Sequence, residues 1–283
     1  MSHDYSENIL IQGSAAELLR DELGWETVYA YNTEQLGETG TLGRKSYKEI
    51  LLTRYFREAL LRLNPWLTPA QLDEAQRLIE HRLSTASLLQ INEEKYFLIR
   101  DGIPVTVKKP GGRTEKKYAA VIDFQNPANN HFLAVQELKI HGDLYRRRTD
   151  IVGFVNGIPL LFVELKAAGV DVRDAYTNNY TDYLDTVPHL FYYNAFLILS
   201  NGLESKVGTL GSKYEFSTSG SGWRKRSRAA WRWRPCSGAS AKRRIFSIFW
   251  KTSSSLTTPA GTRQKSWPGK FAANSPAPPP FWS

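Results

Sequence analysis

The chain has 283 residues, 41% of them hydrophobic, with 37 Lys+Arg against 28 Asp+Glu. That length gives room for a sizeable core in one large or two small domains, and no apolar run nears the ~18 residues a membrane span needs. A single cysteine, Cys236, excludes an internal disulfide and a cysteine-clustered zinc site, and "MSHDYSENILIQGS" lacks a signal-peptide pattern, so a reducing cytoplasm is expected.

The charge is unevenly spread. Glu215 is the last acidic residue, and residues 216–283 carry 13 Lys+Arg and six of the eight tryptophans. Residues 1–215 hold 24 basic and 28 acidic residues, a net of −4. The tail ("GWRKRSRAAWRWRPCSG", "SPAPPPFWS") has no helical or strand period. It reads as a basic disordered extension, a nucleic-acid arm, or the product of a shifted reading frame.

Three helix starts are expected in the first part of the chain. "GSAAELLRDELGW" has Ser14 and Glu17 at capping-box spacing. "KSYKEILLTRYFREALLRLNP" repeats it with Ser46 and Glu49 and predicts the longest helix, stopping before Pro65. "LTPAQLDEAQRLIEHRL" has Thr68 as cap, Pro69 at the first helical position and Gln71 closing the box. Residues 14–83 are therefore expected to be largely helical. Strand signals follow in "KYFLIRDG", "IPVTVKK", "KYAAVIDF", "NHFLAVQELKI", "TDIVGFV" and "IPLLFVELK". A helix over about 171–185 and a strand within "FYYNAFLILS" complete an α/β or α+β pattern.

Chemistry concentrates in "RRRTDIVGFVNGIPLLFVELKAAG", residues 146–169. Two apolar runs around Asn156-Gly157 read as a β-hairpin, with Asp150 opening the first strand and Glu164-Leu165-Lys166 closing the second. Parity decides whether the carboxylates share a face. A two-residue turn would pair Val155 with Ile158 and Asp150 with Val163, leaving Glu164 pointing away. A three-residue loop with Gly157 in a left-handed bulge pairs Phe154 with Ile158 and Asp150 with Phe162. Asp150, Glu164 and Lys166 then share a face, with the carboxylates diagonal neighbours roughly 7–8 Å apart. The functional reading requires the second arrangement.

Two carboxylates, the Leu165 carbonyl and waters would make an oxygen-rich site suited to Mg²⁺. Lys166 could orient a water or stabilise a phosphate, and Arg146, Arg147 and Arg148 could grip flanking phosphates. The chain holds a decoy: Asp123 precedes Glu137-Leu138-Lys139 at the same spacing as Asp150 and Glu164. Read as a hairpin across "QNPANN", the decoy acids lie about 17 Å apart. "GTLGRKS" (residues 40–46) reads as a loop, because no strand precedes it and Arg44 separates Gly43 from Lys45. The five histidines lack ligand spacing.

The hairpin, together with "FQNPANNHFLAVQELKI", "HLFYYNAFLILSNGLESKVGTL" and "GTLGRKSYKEILL", resembles the N-terminal nuclease region of the restriction (R) subunit of type I restriction–modification enzymes, over roughly residues 5–217. The resemblance implies a PD-(D/E)xK restriction-endonuclease-like α/β fold, a mixed central sheet flanked by helices. It also implies Mg²⁺-dependent cleavage of double-stranded DNA. Asp150, Glu164 and Lys166 fall on the family's motif; Asp123, Glu137 and Lys139 do not. Thr149 stands where proline is usual, and Asn179 and Tyr183 stand at the positions of a supporting Gln-x-x-x-Tyr element. An acid from an early helix, Glu49 or Glu17, is also implied.

The implied layout is a helical part over 1–90, a nuclease core over 91–217 and a basic tail over 218–283. The family's subunit continues into an ATP-driven DNA translocase and works with modification and specificity subunits. No phosphate-binding motif of that kind is seen here, so the resemblance implies a truncated subunit that itself binds no ATP. The alternative is a catalytically silent DNA-binding or assembly fragment of the same complex.

Overall fold

The computed structural model describes residues 11–214 and 218–219; the expectations for the remaining tail lie outside the described residues. A helix (α1) runs through residues 11–17 and continues as a π-helical turn, Leu18–Glu22. Ser14 lies inside it, so the expected capping box does not start it. Helices α2 (Thr53–Leu63), α3 (Pro69–Glu80) and α4 (Leu88–Asp101) follow. The expected box on α3 is formed, with the Thr68 side chain accepting from the Gln71 N–H and the Gln71 side chain accepting from the Thr68 N–H.

Two helix expectations fail for identifiable reasons. Helix α2 begins at Thr53, not near Ser46, and α4 is longer. Ile50, Leu51 and Leu52 are all buried, which one stripe of a helix cannot easily achieve. Upstream, the Arg44 guanidinium, 1% exposed, grips Glu34 at 2.6 Å and also donates to the carbonyls of Glu49 and Lys139. "KYFLIRDG" is the end of α4 rather than a strand, and that helix opens on a Ser87/Gln90 capping box. Residues 14–83 are thus interrupted by a strand and a long irregular segment.

The main sheet has seven strands among the described residues. They are β1 (Glu26–Tyr29), β4 (Phe132–Gln136), β7 (Ile151–Val155), β8 (Ile158–Leu165), β9 (Phe196–Ser200), β10 (Ser205–Gly208) and β11 (Thr218–Ser219), in that spatial order. The sheet is mixed: β1–β4 and β8–β9 are parallel, and the other pairs are antiparallel. Strands β2 (Ile103–Lys108) and β3 (Thr114–Ala119) form a separate hairpin, as do β5 (Lys139–His141) and β6 (Arg146–Arg148). All eight residues of β8 are buried, as its continuous apolar run predicts for a central strand.

Helix α5 (Val172–Asp174), a π-helical turn (Ala175–Tyr180) and α6 (Thr181–Thr186) then cross one face of the sheet. Phe162 on β8 packs edge-on against Tyr183 of α6 at 5.6 Å and against Phe191 of the following 3-10 turn (Pro188–Phe191) at 5.2 Å. No helix among the described residues is long and apolar enough to cross a membrane.

Candidate active site

The β7–β8 turn differs from the expected bulged loop. Val155 pairs with Ile158, so only Asn156 and Gly157 form the turn, with φ of 51° and 79°. Positive φ at both positions is the two-residue hairpin geometry that favours Asn-Gly. Asn156 fits it further through its side chain, which donates to the Val121 carbonyl and accepts from the His131 N–H. Gly157 is doubly required, because a Cβ there would lie 2.5 Å from the Leu52 carbonyl oxygen.

Such a turn alone would put the carboxylates on opposite faces. The parity is restored inside the strand. Phe154 pairs with Pro159 but Gly153 pairs with Leu161, so Leu160 is an extra, bulged residue. Downstream, Ile151 pairs with Val163, which sets Asp150 directly opposite Glu164 rather than diagonal to it. Glu164, Phe162 and Lys166 alternate onto the face that carries α5 and α6.

Each candidate side chain has defined neighbours. Asp150 accepts from the Leu165 N–H at 2.6 Å and from Gln12 Nε2 at 2.5 Å. Glu164 is 2% exposed, and its Oε2 has no hydrogen-bond partner. Lys166 Nζ lies 3.8 Å from Glu164 Oε1 and donates to Asn179 Oδ1 at 2.6 Å. Asn179, though shorter than glutamine, therefore reaches the lysine from the π-helical turn. The Tyr183 hydroxyl donates to the Arg148 carbonyl at 2.8 Å. Thr149 donates its N–H to the Leu138 carbonyl at 3.1 Å, a bond proline could not make.

Burial raises both carboxyls, and the Lys166 ammonium offsets that only in part. Burial, opposed by the Leu165 N–H and reinforced by Glu137, pushes the Asp150 carboxyl up to about 6. Burial and then the charge of Asp150 raise Glu164 well above the usual carboxylate range. Burial, followed by the nearby Glu164 and Asp150, raises Tyr183, which favours its neutral, donating form. An oxygen-only donor set with one orphaned carboxylate oxygen fits a hard divalent cation. Among the described residues, no group of three or more His, Cys, Asp or Glu side chains is placed to hold a metal ion; Asp150 and Glu164 form a pair.

Two neighbours of Asp150 escape sequence reading. Gln12 is the early-helix residue at Asp150, in place of Glu17, which is exposed, or Glu49, whose carboxylate accepts from the Lys45 N–H. Glu137, part of the apparent decoy, lies across the ladder from Asp150 and donates its N–H to the Asp150 carbonyl at 2.9 Å. Its φ of 57° kinks the chain between β4 and β5, and Arg148 forms an ion pair with its carboxylate. The register through the turn at residues 142–145 would have placed it there. Asp123, by contrast, is structural: its carboxylate accepts from the N–H groups of Gln125 and Asn126 and from the Asn129 side chain.

The three arginines have different settings. Arg146 is exposed, Arg147 forms a bidentate pair with Asp182 on α6 at 2.5 and 2.8 Å, and Arg148 is tied to Glu137.

The family model for the type I restriction enzyme R protein N terminus matches residues 4–216. The chain belongs to that family.

Among curated relatives, the endonuclease subunit of the type I restriction enzyme HindI of Haemophilus influenzae is 32% identical over 197 residues, covering 68% of this chain and 18% of that protein. The putative type I restriction enzyme MjaIXP endonuclease subunit of Methanocaldococcus jannaschii is 26% identical over 215 residues, covering 74% and 20%. A third, the SsaAORF53P endonuclease subunit of Staphylococcus saprophyticus, is 26% identical over 206 residues, covering 71% and 19%. The matched region of this R-protein N terminus thus spans about a fifth of the length of these relatives, and it contains the whole Asp150–Glu164–Lys166 constellation.

Proposed function

We propose that this R-protein N terminus is a PD-(D/E)xK-type endonuclease region, with its core in residues 91–217, that hydrolyses phosphodiester bonds of double-stranded DNA with Mg²⁺. The observation that carries the reading is the bulge at Leu160, which sets Asp150 opposite Glu164 and leaves a buried carboxylate oxygen without a partner beside Lys166. Asp150 and Glu164, with the Leu165 carbonyl and waters, would hold the cation, which when bound supplies charge neutralisation and an activated water.

The chain's own residues do the rest. Asp150 is oriented by the Leu165 N–H and by Gln12, which leaves its carboxylate fixed rather than searching among rotamers. Asn179 orients the Lys166 ammonium, which then stands beside the carboxylates to orient the attacking water or meet the negative charge that develops on the phosphate. Tyr183 holds the backbone of Arg148, two residues before Asp150, and so fixes the entry to the site.

In the cytoplasmic setting expected for such a system, the region would act with modification and specificity subunits, and any ATP-driven translocation would fall to a part outside the matched region. The test is nicking of supercoiled plasmid with Mg²⁺ by the wild-type chain, Asp150→Ala and Lys166→Ala. Nicking by wild type and not by the variants supports the reading. Equal nicking by all three refutes it, and nicking by none supports the catalytically silent fragment.

A further inference from the structure

The β5–β6 ribbon continues the same register that pairs β4 with β7, so it extends directly from the strand end that carries Asp150. Its cross-strand pairs are Lys139 with Arg148, Ile140 with Arg147, and His141 with Arg146. Alternation sorts these onto two faces. Ile140 is fully buried, and Arg147 beside it is clamped to Asp182, so this face anchors the ribbon to α6.

The other face carries Lys139 opposite Arg148 and His141 opposite Arg146, so cationic and basic groups sit directly across from one another. Like charges at directly opposed positions destabilise a sheet. Aromatic rings lie against their head groups. The Tyr31 ring centre lies 4.6 Å from the Arg148 guanidinium and 5.9 Å from Lys139 Nζ, and the Tyr47 and His141 rings meet at a tilt of 51° with centroids 4.8 Å apart. Lys139 Nζ donates to a neutral oxygen, Asn32 Oδ1, at 2.8 Å. Glu137 offsets one charge, that of Arg148, whose side chain is still 41% exposed. Arg146 and Arg148 are solvent-facing.

A two-stranded platform with cations opposed on one face suits an external polyanion, and it starts at the Asp150 end of β7. We propose that the outer face of this ribbon, formed by Lys139, His141, Arg146 and Arg148, is the track for the DNA backbone leading to the site, while Arg147 is a structural anchor that does not touch DNA. The proposal rests on the nuclease reading for the identity of the polyanion. It corrects the simple expectation that all three consecutive arginines grip phosphates, because a strand presents only alternate residues to one partner.

The test uses the full chain and a 30-base-pair duplex in Ca²⁺, with two readouts. Equilibrium binding is titrated against salt for the wild type, Lys139→Gln, Arg146→Gln and Arg147→Gln. Each lost phosphate contact lowers the salt slope by about 0.9. Lys139→Gln and Arg146→Gln are expected to lower it by about that amount, and Arg147→Gln to leave it unchanged. Because the 13 Lys+Arg of residues 216–283 are present in every variant, a second readout is residue-resolved: acetylation of lysines, read by mass spectrometry.

Duplex is expected to protect Lys139. Lys109, on the separate β2–β3 hairpin, is expected to stay reactive. Unchanged slopes in Lys139→Gln and Arg146→Gln, or acetylation of Lys139 at the same rate with and without duplex, overturn the proposal; a ribbon that serves a protein subunit instead would give that second result. The nuclease reading is judged apart from this, by plasmid nicking. Protection of Lys139 without nicking keeps the track and removes the reaction, and nicking without protection does the reverse.

Discussion

Asp150→Asn should make the cation-free protein more stable at neutral pH, although it removes a carboxylate of the proposed site. The Asp150 carboxyl is moved from 3.8 to about 6 by burial and by Glu137. A displacement of that size penalises the charged form by about 3 kcal/mol. Its folded-state value lies above its unfolded one, so the folded state binds the extra proton. The penalty is therefore absent below the unfolded value, grows as pH rises between about 4 and 6, and is complete above that range.

Asparagine keeps an oxygen for the Leu165 N–H, and Gln12 can turn its amide to suit the new partner, so most of the penalty should be recovered. A gain of roughly 1–3 kcal/mol at pH 8 is expected, or about 2–4 °C in Tm for each kcal/mol. Urea denaturation of the two proteins at pH 4 and pH 8, with chelator present, measures it. A variant less stable than wild type at pH 8, or a difference that does not shrink towards pH 4, would refute the reasoning.

Other substitutions probe the frame around the site. Gly157→Ala must combine a φ of 79° with a Cβ 2.5 Å from the Leu52 carbonyl oxygen, and should cost at least about 1–3 kcal/mol in chemical denaturation. Glu34→Ala leaves the Arg44 guanidinium buried without its carboxylate and should cost about 3–5 kcal/mol in the same measurement. Asn179→Ala frees the Lys166 ammonium; nicking should fall while Tm moves by less than about 3 °C, whereas a merely structural asparagine would move Tm and leave nicking intact.

Asp150, Glu164 and Lys166 stand out in the chain as candidates, but the bulge that brings them together does not. Asp150 and Glu164 flank an obvious hairpin, and the need for a parity change follows from the period of a strand. Its location does not, because Pro159, Leu160 and Leu161 are all buried apolar residues and show no alternation that could betray an extra one. Asn-Gly drew the expectation to the turn, where the same glycine serves a two-residue geometry instead.

The apparent decoy was half right for a similar reason. Asp123 belongs to a loop, but Glu137 reaches Asp150 through a register that only the distant turn at residues 142–145 fixes. Capping chemistry worked at Thr68, where cap, proline and box partner coincide, and failed at Ser46, where burial of Ile50, Leu51 and Leu52 and the buried Arg44 outweigh local preference. "KYFLIRDG" is short, apolar and aromatic, which suits a strand or a buried helix alike; the Ser87/Gln90 box upstream was the signal that decides it. Gln12 carries no sequence signal, since its role comes only from where α1 packs.

The central claim is that Asp150 and Glu164 together form a cation site, and its most direct test needs neither DNA nor other subunits. Thermal unfolding of the wild type, Asp150→Asn and Glu164→Gln is followed as Mg²⁺, and separately Mn²⁺, is raised from zero. Wild-type Tm should climb and saturate as the cation relieves the two opposed carboxylates, and each variant should lose most of that climb while starting from a Tm at or above that of wild type. A wild-type Tm that ignores both cations, or variants that climb as far as wild type, would contradict the account.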